Sequence, residues 1–316
     1  MLHIVYENKN GKLDFNGGKG RHPWRILEIE GLGLTGKNYE TVAYPGGIGQ
    51  RTLSETLDAR TISIQCDVNS IKSIYYISEK KTNHREISRA LKILNEPGTL
   101  IISDGYRTRK IMARCAEAVQ GERHGGYTVF AMQFVCDYPY FEDKDTTIIP
   151  LFKVDNLIGT TTRWYLKNGE LTSESIEAGK FILPCMFARK TARANVINVG
   201  DIDAEPIIRI SLNGERYSDL VETFGMLVIN NESTKQKIEL NLQDAEDTKE
   251  VIVDIPNRKI YSEDNKNLIH YLSPTSFLSD FWLQKGDNLI SVDNYISEAC
   301  VVECEFSNKY VEAVIG

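Results

Sequence analysis

Six cysteines are scattered over 316 residues without one C-x-x-C pair, which excludes a zinc ribbon and a dense disulfide framework. Cys66, Cys115, Cys136, Cys185, Cys300 and Cys304 read instead as free thiols in apolar surroundings. The five histidines, His3, His22, His84, His124 and His270, form no H-x-H or H-x-x-x-H pair, so no metal site is expected. No apolar run approaches the roughly 18 residues of a membrane span, and MLHIVYENKNGK lacks the apolar core of a secretory signal, so synthesis and residence in a cytosol are expected. Prolines number only nine and there is no long polar tract, which excludes intrinsic disorder. G-x-S-x-G is absent and no cysteine carries the flanking residues of a thiol enzyme, so nucleophilic catalysis has no local support and no enzyme is expected.

What is present is length enough for two cores and a strong alternation of side chains. A chain of 316 residues exceeds what one core usually fills, which gives about two domains as the expectation. Residues 1–145 carry 20 Lys plus Arg against 18 Asp plus Glu, a balance of +2, which leaves 17 against 26, or −9, for residues 146–316. An acidic second half is ill suited to sequence-specific nucleic-acid binding.

In RTISIQCDV, Ile62, Ile64, Cys66 and Val68 fall on one face and Thr61, Ser63, Gln65 and Asp67 on the other, the pattern of a half-buried strand. GGYTVFAMQFVC repeats it, and RKIMARCAEAV before Gly125-Gly126 completes a hairpin. One helix is expected over 83–94: Asn83 and Glu86 fit a capping box, Ile87, Ala90, Leu91 and Leu94 form an apolar stripe, and Pro97-Gly98 ends it. Arg85, Arg89 and Lys92 lie off the stripe and read as a solvated face. The texture changes after CDYPYFEDKD, which places a boundary near residue 145. Beyond it come AEPIIRISL, GMLVINN, QKIELNL, KEVIVDI and NLISV, short Val- and Ile-rich strands separated by turns. They predict an antiparallel sandwich over 146–316. The expected fold class is mainly β: an N-terminal sandwich- or barrel-like domain over 1–145 with one helix and an extended hairpin arm, then the second sandwich.

The stretch ILEIEGLGLTGK, Ile26–Lys37, fits G-x-G-x-x-G and nearly a P-loop. Phosphate is held at a helix N-terminus, so these glycines matter only if a helix follows. NYETVAYPGG follows instead, β-branched and aromatic, and Asn38 stands where magnesium needs Ser or Thr. No nucleotide or other cofactor is expected, and the glycines read as turns between strands. Asp201, Asp203 and Glu205 alternate like a calcium loop but lack its remaining spacing, and read as a polar turn entering a strand.

YRTRKIMAR is the densest basic patch, with Tyr106, Arg107, Arg109, Lys110 and Arg114. Alternation sends Arg107 and Arg109 one way and Lys110 and Arg114 the other, so no single face collects the charge that a nucleic acid needs. An exposed arm that contacts a neighbouring subunit is the expectation. Trp164 and Trp282 are the candidates for stacking on a sugar face, weighed against ordinary packing inside a sandwich.

The order of landmarks resembles the distal tail proteins of long-tailed bacteriophages. The stretches that carry the resemblance are YPGG (Tyr44, Pro45, Gly46, Gly47), RTISI from Arg60, the helix followed by EPGTL, CDYPYF from Cys136, NVGDIDAEP from Asn198, DIPNRKI from Asp254 and FWLQKGDN from Phe281. The resemblance implies a ring-forming N-terminal domain with an arm and a galectin-like C-terminal sandwich. It also implies a homohexameric structural hub at the virion tail tip, made in the host bacterial cytoplasm. The implied partners are its own copies, the tail-tube protein and a tail-tip or baseplate hub protein. The alternative is a carbohydrate-binding module of the tail tip, with a host cell-surface glycan as its partner.

Overall fold

The structure is a computed structural model that describes residues 2–15, 23–68, 79–124, 127–153, 161–167, 170–176, 190–212, 226–242, 248–294 and 300–313. The chain divides into two compact units, Met1–Asp145 together with Asn308–Gly316, and Thr146–Ser307. The division assigns the residues from Asn308 onward to the first unit, whereas the sequence reading kept 146–316 together. NKYVEA, Asn308–Ala313, has too weak an alternation to announce a strand, and its place is fixed by partners far upstream.

In the first unit the strands are β1 (His3–Asn8), β2 (Gly11–Phe15), β3 (Trp24–Glu30), β4 (Lys37–Ala43), β5 (Gln50–Leu57), β6 (Arg60–Val68), β7 (Gly98–Ser103), β8 (Thr108–His124), β9 (Tyr127–Cys136) and β10 (Phe141–Asp143). The nine-stranded sheet runs β2-β1-β7-β8-β9-β6-β3, with β10 paired to β8 and to a short strand at Lys309–Tyr310. All of its pairings are antiparallel. The period-2 expectation is met in β6, where Arg60, Ile62, Ile64, Cys66 and Val68 are buried, and in β9, where Phe130, Met132, Phe134 and Cys136 are. The edge strands β2 and β3 approach each other, with the Phe15 and Trp24 rings 5.9 Å apart and edge to face. The sheet therefore curls toward a barrel.

Helix α1 (Glu79–Leu94) packs on β2, β6 and β8. It starts a turn before the expected capping box, so Asn83 is not a cap. Its buried amide donates to the Val68 carbonyl at 3.2 Å. Ile87, Ala90, Ile93 and Leu94 form the buried stripe, whereas Leu91 is exposed. A 3.6-residue period admits Leu91 or Ile93 at the margin of the Ile87, Ala90 and Leu94 stripe, and only the sheet beneath decides which is covered.

The second unit holds β11 (Thr147–Lys153), β12 (Thr161–Lys167), β13 (Glu170–Ile176), β14 (Lys190–Asn198), β15 (Ile207–Leu212), β16 (Met226–Asn231), β17 (Gln236–Asn241), β18 (Glu250–Asp254), β19 (Lys259–Ser262), β20 (Gly286–Asn294) and β21 (Cys300–Phe306). Two sheets, β11-β21-β15-β18-β19 and β14-β20-β16-β17, enclose one core, and β12-β13 forms a separate hairpin. Ile208, Ile210 and Val302 come to that core from the first sheet, and Ile229, Ile238 and Val292 from the second, all essentially without exposure. This is a sandwich. The strands β18 and β19 flank a turn at Pro256-Asn257, where the Asp254 carboxylate accepts from the Asn257 backbone amide at 3.0 Å. Gly286 opens β20 at φ +92, and Asp287 and Asn288 already lie in the strand.

Candidate functional site

No helix follows Lys37. Lys37–Ala43 is strand β4, which pairs with β5 alone in a two-stranded hairpin. Every residue of that pair is exposed except Leu57, which is half-buried. Tyr39, Val42, Tyr44 and Leu53 are about half exposed and Ile48 is fully exposed. Local contacts hold the two strands in register: Thr41 donates to Gln50 at 3.0 Å, Ser54 donates to Glu40 at 3.0 Å, and Lys37 pairs with Glu55. The bond to Glu55 pushes the Lys37 ammonium above its ordinary value. The stretch YPGG forms the tip, where Gly46 takes φ +71 and the Gly47 amide donates to the Tyr44 carbonyl at 3.2 Å.

A two-stranded hairpin in water is marginal by itself. Among the described residues neither strand of this one pairs with a further strand, and its apolar side chains are uncovered.

The root of the hairpin is built differently. Arg60, the first residue of β6, is 2% exposed, and its partners are backbone carbonyls and an aromatic ring. Its Nε donates to the Pro139 carbonyl at 2.6 Å, Nη1 to the carbonyls of Gly31 (2.8 Å) and Gly33, and Nη2 to the Val311 carbonyl at 2.6 Å. Its guanidinium carbon sits 4.5 Å from the Phe141 ring centroid. Burial lowers its pKa from the ordinary value. Gly31 takes φ +87, and a Cβ there would lie 2.0 Å from the Thr61 carbonyl oxygen. The root is completed by Asp58 N–H on the Gly36 carbonyl at 3.2 Å and Ala313 N–H on the Leu32 carbonyl at 2.9 Å. Gly31 thus serves a tight backbone crossing, while Gly33 and Gly36 lend their carbonyls to the root.

The basic patch is not an arm. Tyr106 and Arg107 sit in the exposed turn between β7 and β8, where the Asp104 carboxylate accepts from both of their amides at 2.7 Å. Those bonds, Arg107's first, lower the Asp104 pKa. From Thr108 the chain is strand β8, paired with β7, β10 and β9. Arg109 is buried, donates to the Glu312 carbonyl at 2.6 Å and stacks with its guanidinium carbon 3.6 Å from the Tyr310 ring centroid. Lys110 donates to the Lys144 carbonyl at 3.1 Å, and Arg114 pairs with Asp137 at 2.7 Å. Charge density in sequence carries no sign of these downstream partners, and the exposed hairpin is β4-β5 instead.

Other landmark stretches also meet in space. Asn198 is buried and donates to the Leu283 carbonyl at 3.1 Å, and the Lys285 amide donates to Asp203 at 3.1 Å. Lys285 also stands 3.9 Å from Asp201, and Arg258 pairs with Glu205 at 2.7 Å, so the alternating acids are turned to neighbouring cations. Among the described residues no group of three His, Cys, Asp or Glu is placed to hold a metal. Trp282 is partly exposed beside the buried Phe281, and its backbone amide bonds Gln236 at 3.1 Å. Trp164 lies on β12, and its side chain is outside the described residues. An open groove of about 420 Å³ crosses β3, β6, β9 and β8, bordered by Glu28, Glu30, Glu117, Gln65 and Gln133. It contains neither a His nor a Cys. Cys66, Cys136, Cys300 and Cys304 are buried free thiols, Cys115 is half-buried, and Cys185 lies outside the described residues.

These features define a two-unit, mainly β protein with a curled first sheet, one helix, an uncovered hairpin and a sandwich. That fold is shared with the SPP1 Dit (gp 19.1) protein, described as a paradigm of the hub adsorption apparatus in phages that infect Gram-positive hosts. The TM-score is 0.62 at 13% identity, over 98% of this chain and 99% of that one. Chains of the phage P2 baseplate in its activated conformation, with calcium or with strontium, give a TM-score of 0.48 at 11% and 12% identity, each over 96% of this chain and 98% of that one. No family model matches the chain, and no curated protein matches it in sequence.

Proposed function

We propose that this protein is a non-enzymatic structural subunit of a phage tail, a hexameric hub at the distal end that joins the tail tube to the host-recognition tip. Two things support the reading: the fold shared with SPP1 Dit along almost the whole of both chains, and the hairpin β4-β5, whose surface is left uncovered within its own subunit. In this reading the hairpin grips the next copy. The ring closes through head-to-tail contacts, one patch meeting a different patch, and not through a two-fold. The first unit forms the ring. The tail-tube protein and a tip or baseplate protein bind on opposite faces, and the virion tail tip is where the protein resides after synthesis in the host cytoplasm.

The uncovered hairpin is the observation that carries the proposal. Sedimentation and native mass measurement of the full chain, with tail-tube protein added as a template, are expected to give six copies per particle. Replacing Tyr39–Glu55 by a short turn is expected to give folded monomers. A ring of unchanged stoichiometry without the hairpin would remove this assignment. Sugar recognition would need stacking residues gathered on one face. Trp282 is the only one of the two candidates whose side chain is described, and no sugar contact is assigned to it.

A further inference from the structure

The segment Asn308–Ala313 follows the second unit in the chain, yet its bonds go to the first. Asn308 donates to Asp143 at 2.9 Å, the Tyr310 hydroxyl reaches the same carboxylate at 3.2 Å, and Glu142 and Phe141 pair with Lys309 and Tyr310. Arg109 stacks on Tyr310 and binds the Glu312 carbonyl. Two further contacts lead to the hairpin. The Val311 carbonyl takes Arg60 Nη2, and Arg60 in turn holds the carbonyls of Gly31 and Gly33, the residues that lead into β4. The Ala313 amide donates to the Leu32 carbonyl between them, with Ala313 buried in the same core that Leu32 packs against.

We propose that Asn308–Ala313 is a latch that fixes the pose of the β4-β5 hairpin. Docked, the segment and Arg60 hold both segments at the hairpin root: Gly31–Gly33 on the way out and Arg60 on the way back. Undocked, the root loses the Val311 and Ala313 bonds and is left with Arg60 on Gly31 and Gly33, the Asn38–Asp58 and Asp58–Gly36 bonds and its own strand pairing, and the hairpin swings more widely. Because the latch lies beyond Thr146–Ser307, the hairpin is set only in chains that have passed through the second unit. This regulatory role rests on the reading of the hairpin as the ring contact, while the clamp itself does not.

The test is hydrogen exchange on the full chain in two variants. Ala313→Pro removes the donor to Leu32, and Tyr310→Ala undoes the segment at Arg109 while leaving the Ala313 donor in place, which gives a second route if the first does not fold. Amides of 31–36 and 57–60 are expected to exchange about tenfold faster, as loss of one or two hydrogen bonds would give. The centres of β6 and β9 should stay unchanged, and ring yield should fall. Unchanged exchange at the root while 309–313 exchange freely would overturn the latch, as would acceleration spread evenly over the first unit. Rings forming normally with the segment undocked would overturn its regulatory role. A chain that never forms rings, with or without its hairpin, overturns the assembly reading and leaves the exchange result standing.

Discussion

Arg109 stacks on Tyr310 with its guanidinium carbon 3.6 Å from the ring centroid, and its Nη1 reaches the carbonyl of Glu312, 203 positions along the chain. A charged side chain is buried here, and a π face and a backbone carbonyl replace the water it loses.

Arg109→Ala is therefore expected to destabilise the first unit by about 2 kcal/mol, the worth of a charged hydrogen bond plus a desolvated stack. Arg109→Lys should recover less than half, since an ammonium lacks the planar face. Arg60→Met, which leaves four carbonyls without their donor, should cost about 3 kcal/mol or more, allowing for bonds that do not add. Urea unfolding followed by a probe in each unit separates these losses from the second unit, because two cores need not unfold together.

Gly31 and Gly33 make a matched pair. Gly31→Ala must place a methyl 2.0 Å from the Thr61 carbonyl oxygen at φ +87, whereas a Cβ at Gly33 meets nothing within 4 Å. The first change is expected to cost about 2–3 kcal/mol and the second less than about 0.5. Thermal midpoints of the two variants check the contrast, and equal losses would contradict this account of the crossing.

The buried thiols set an alkaline limit. Burial pushes Cys66, Cys300 and Cys304 up to about 12 and Cys136 to about 11, from an ordinary 9.0. The folded chain keeps these protons while the unfolded chain sheds them above pH 9, so this stabilisation is complete below pH 9 and is lost as pH rises toward 11–12. The urea midpoint should be flat from pH 7 to 8.5 and fall from there, with a shallower fall in Cys66→Ala. At pH 8 a thiol reagent should label these four positions only after unfolding, as peptide masses will show.

Ile48 at the hairpin tip is fully exposed. Ile48→Asp should leave the unfolding midpoint within about 0.5 kcal/mol of the parent. If the tip enters a neighbouring copy, the same change should weaken ring formation at least about tenfold, because a charge is then buried at a contact. Sedimentation at several protein concentrations reads both the loss and its size.

Much of the fold was legible because it repeats at short range. Alternation in Arg60–Val68 and Tyr127–Cys136 names the buried face of each strand without any knowledge of its partner. The helix was legible in place and type, but its start at Glu79 and its choice of Ile93 over Leu91 were not, since the sheet beneath decides both. The site was far less legible. Arg60 reads as the polar opening of a strand, and YRTRKIMAR reads as an exposed arm, because local sequence carries no record of which distant carbonyl will meet a guanidinium.

The amino-acid sequence by itself determined two apolar cores, an antiparallel β chemistry, and glycines that lead into a strand where a phosphate site would need a helix. Each of these follows from side-chain period and backbone sterics within a few residues. Tertiary structure alone decided that Lys37–Leu57 stands uncovered, that Arg60 and Arg109 are buried, and that Asn308–Ala313 returns to the first unit. Those outcomes depend on hydrogen bonds between positions as far apart as Arg60 and Val311, and a bond of that span is fixed by how the sheets close and not by either residue's neighbours.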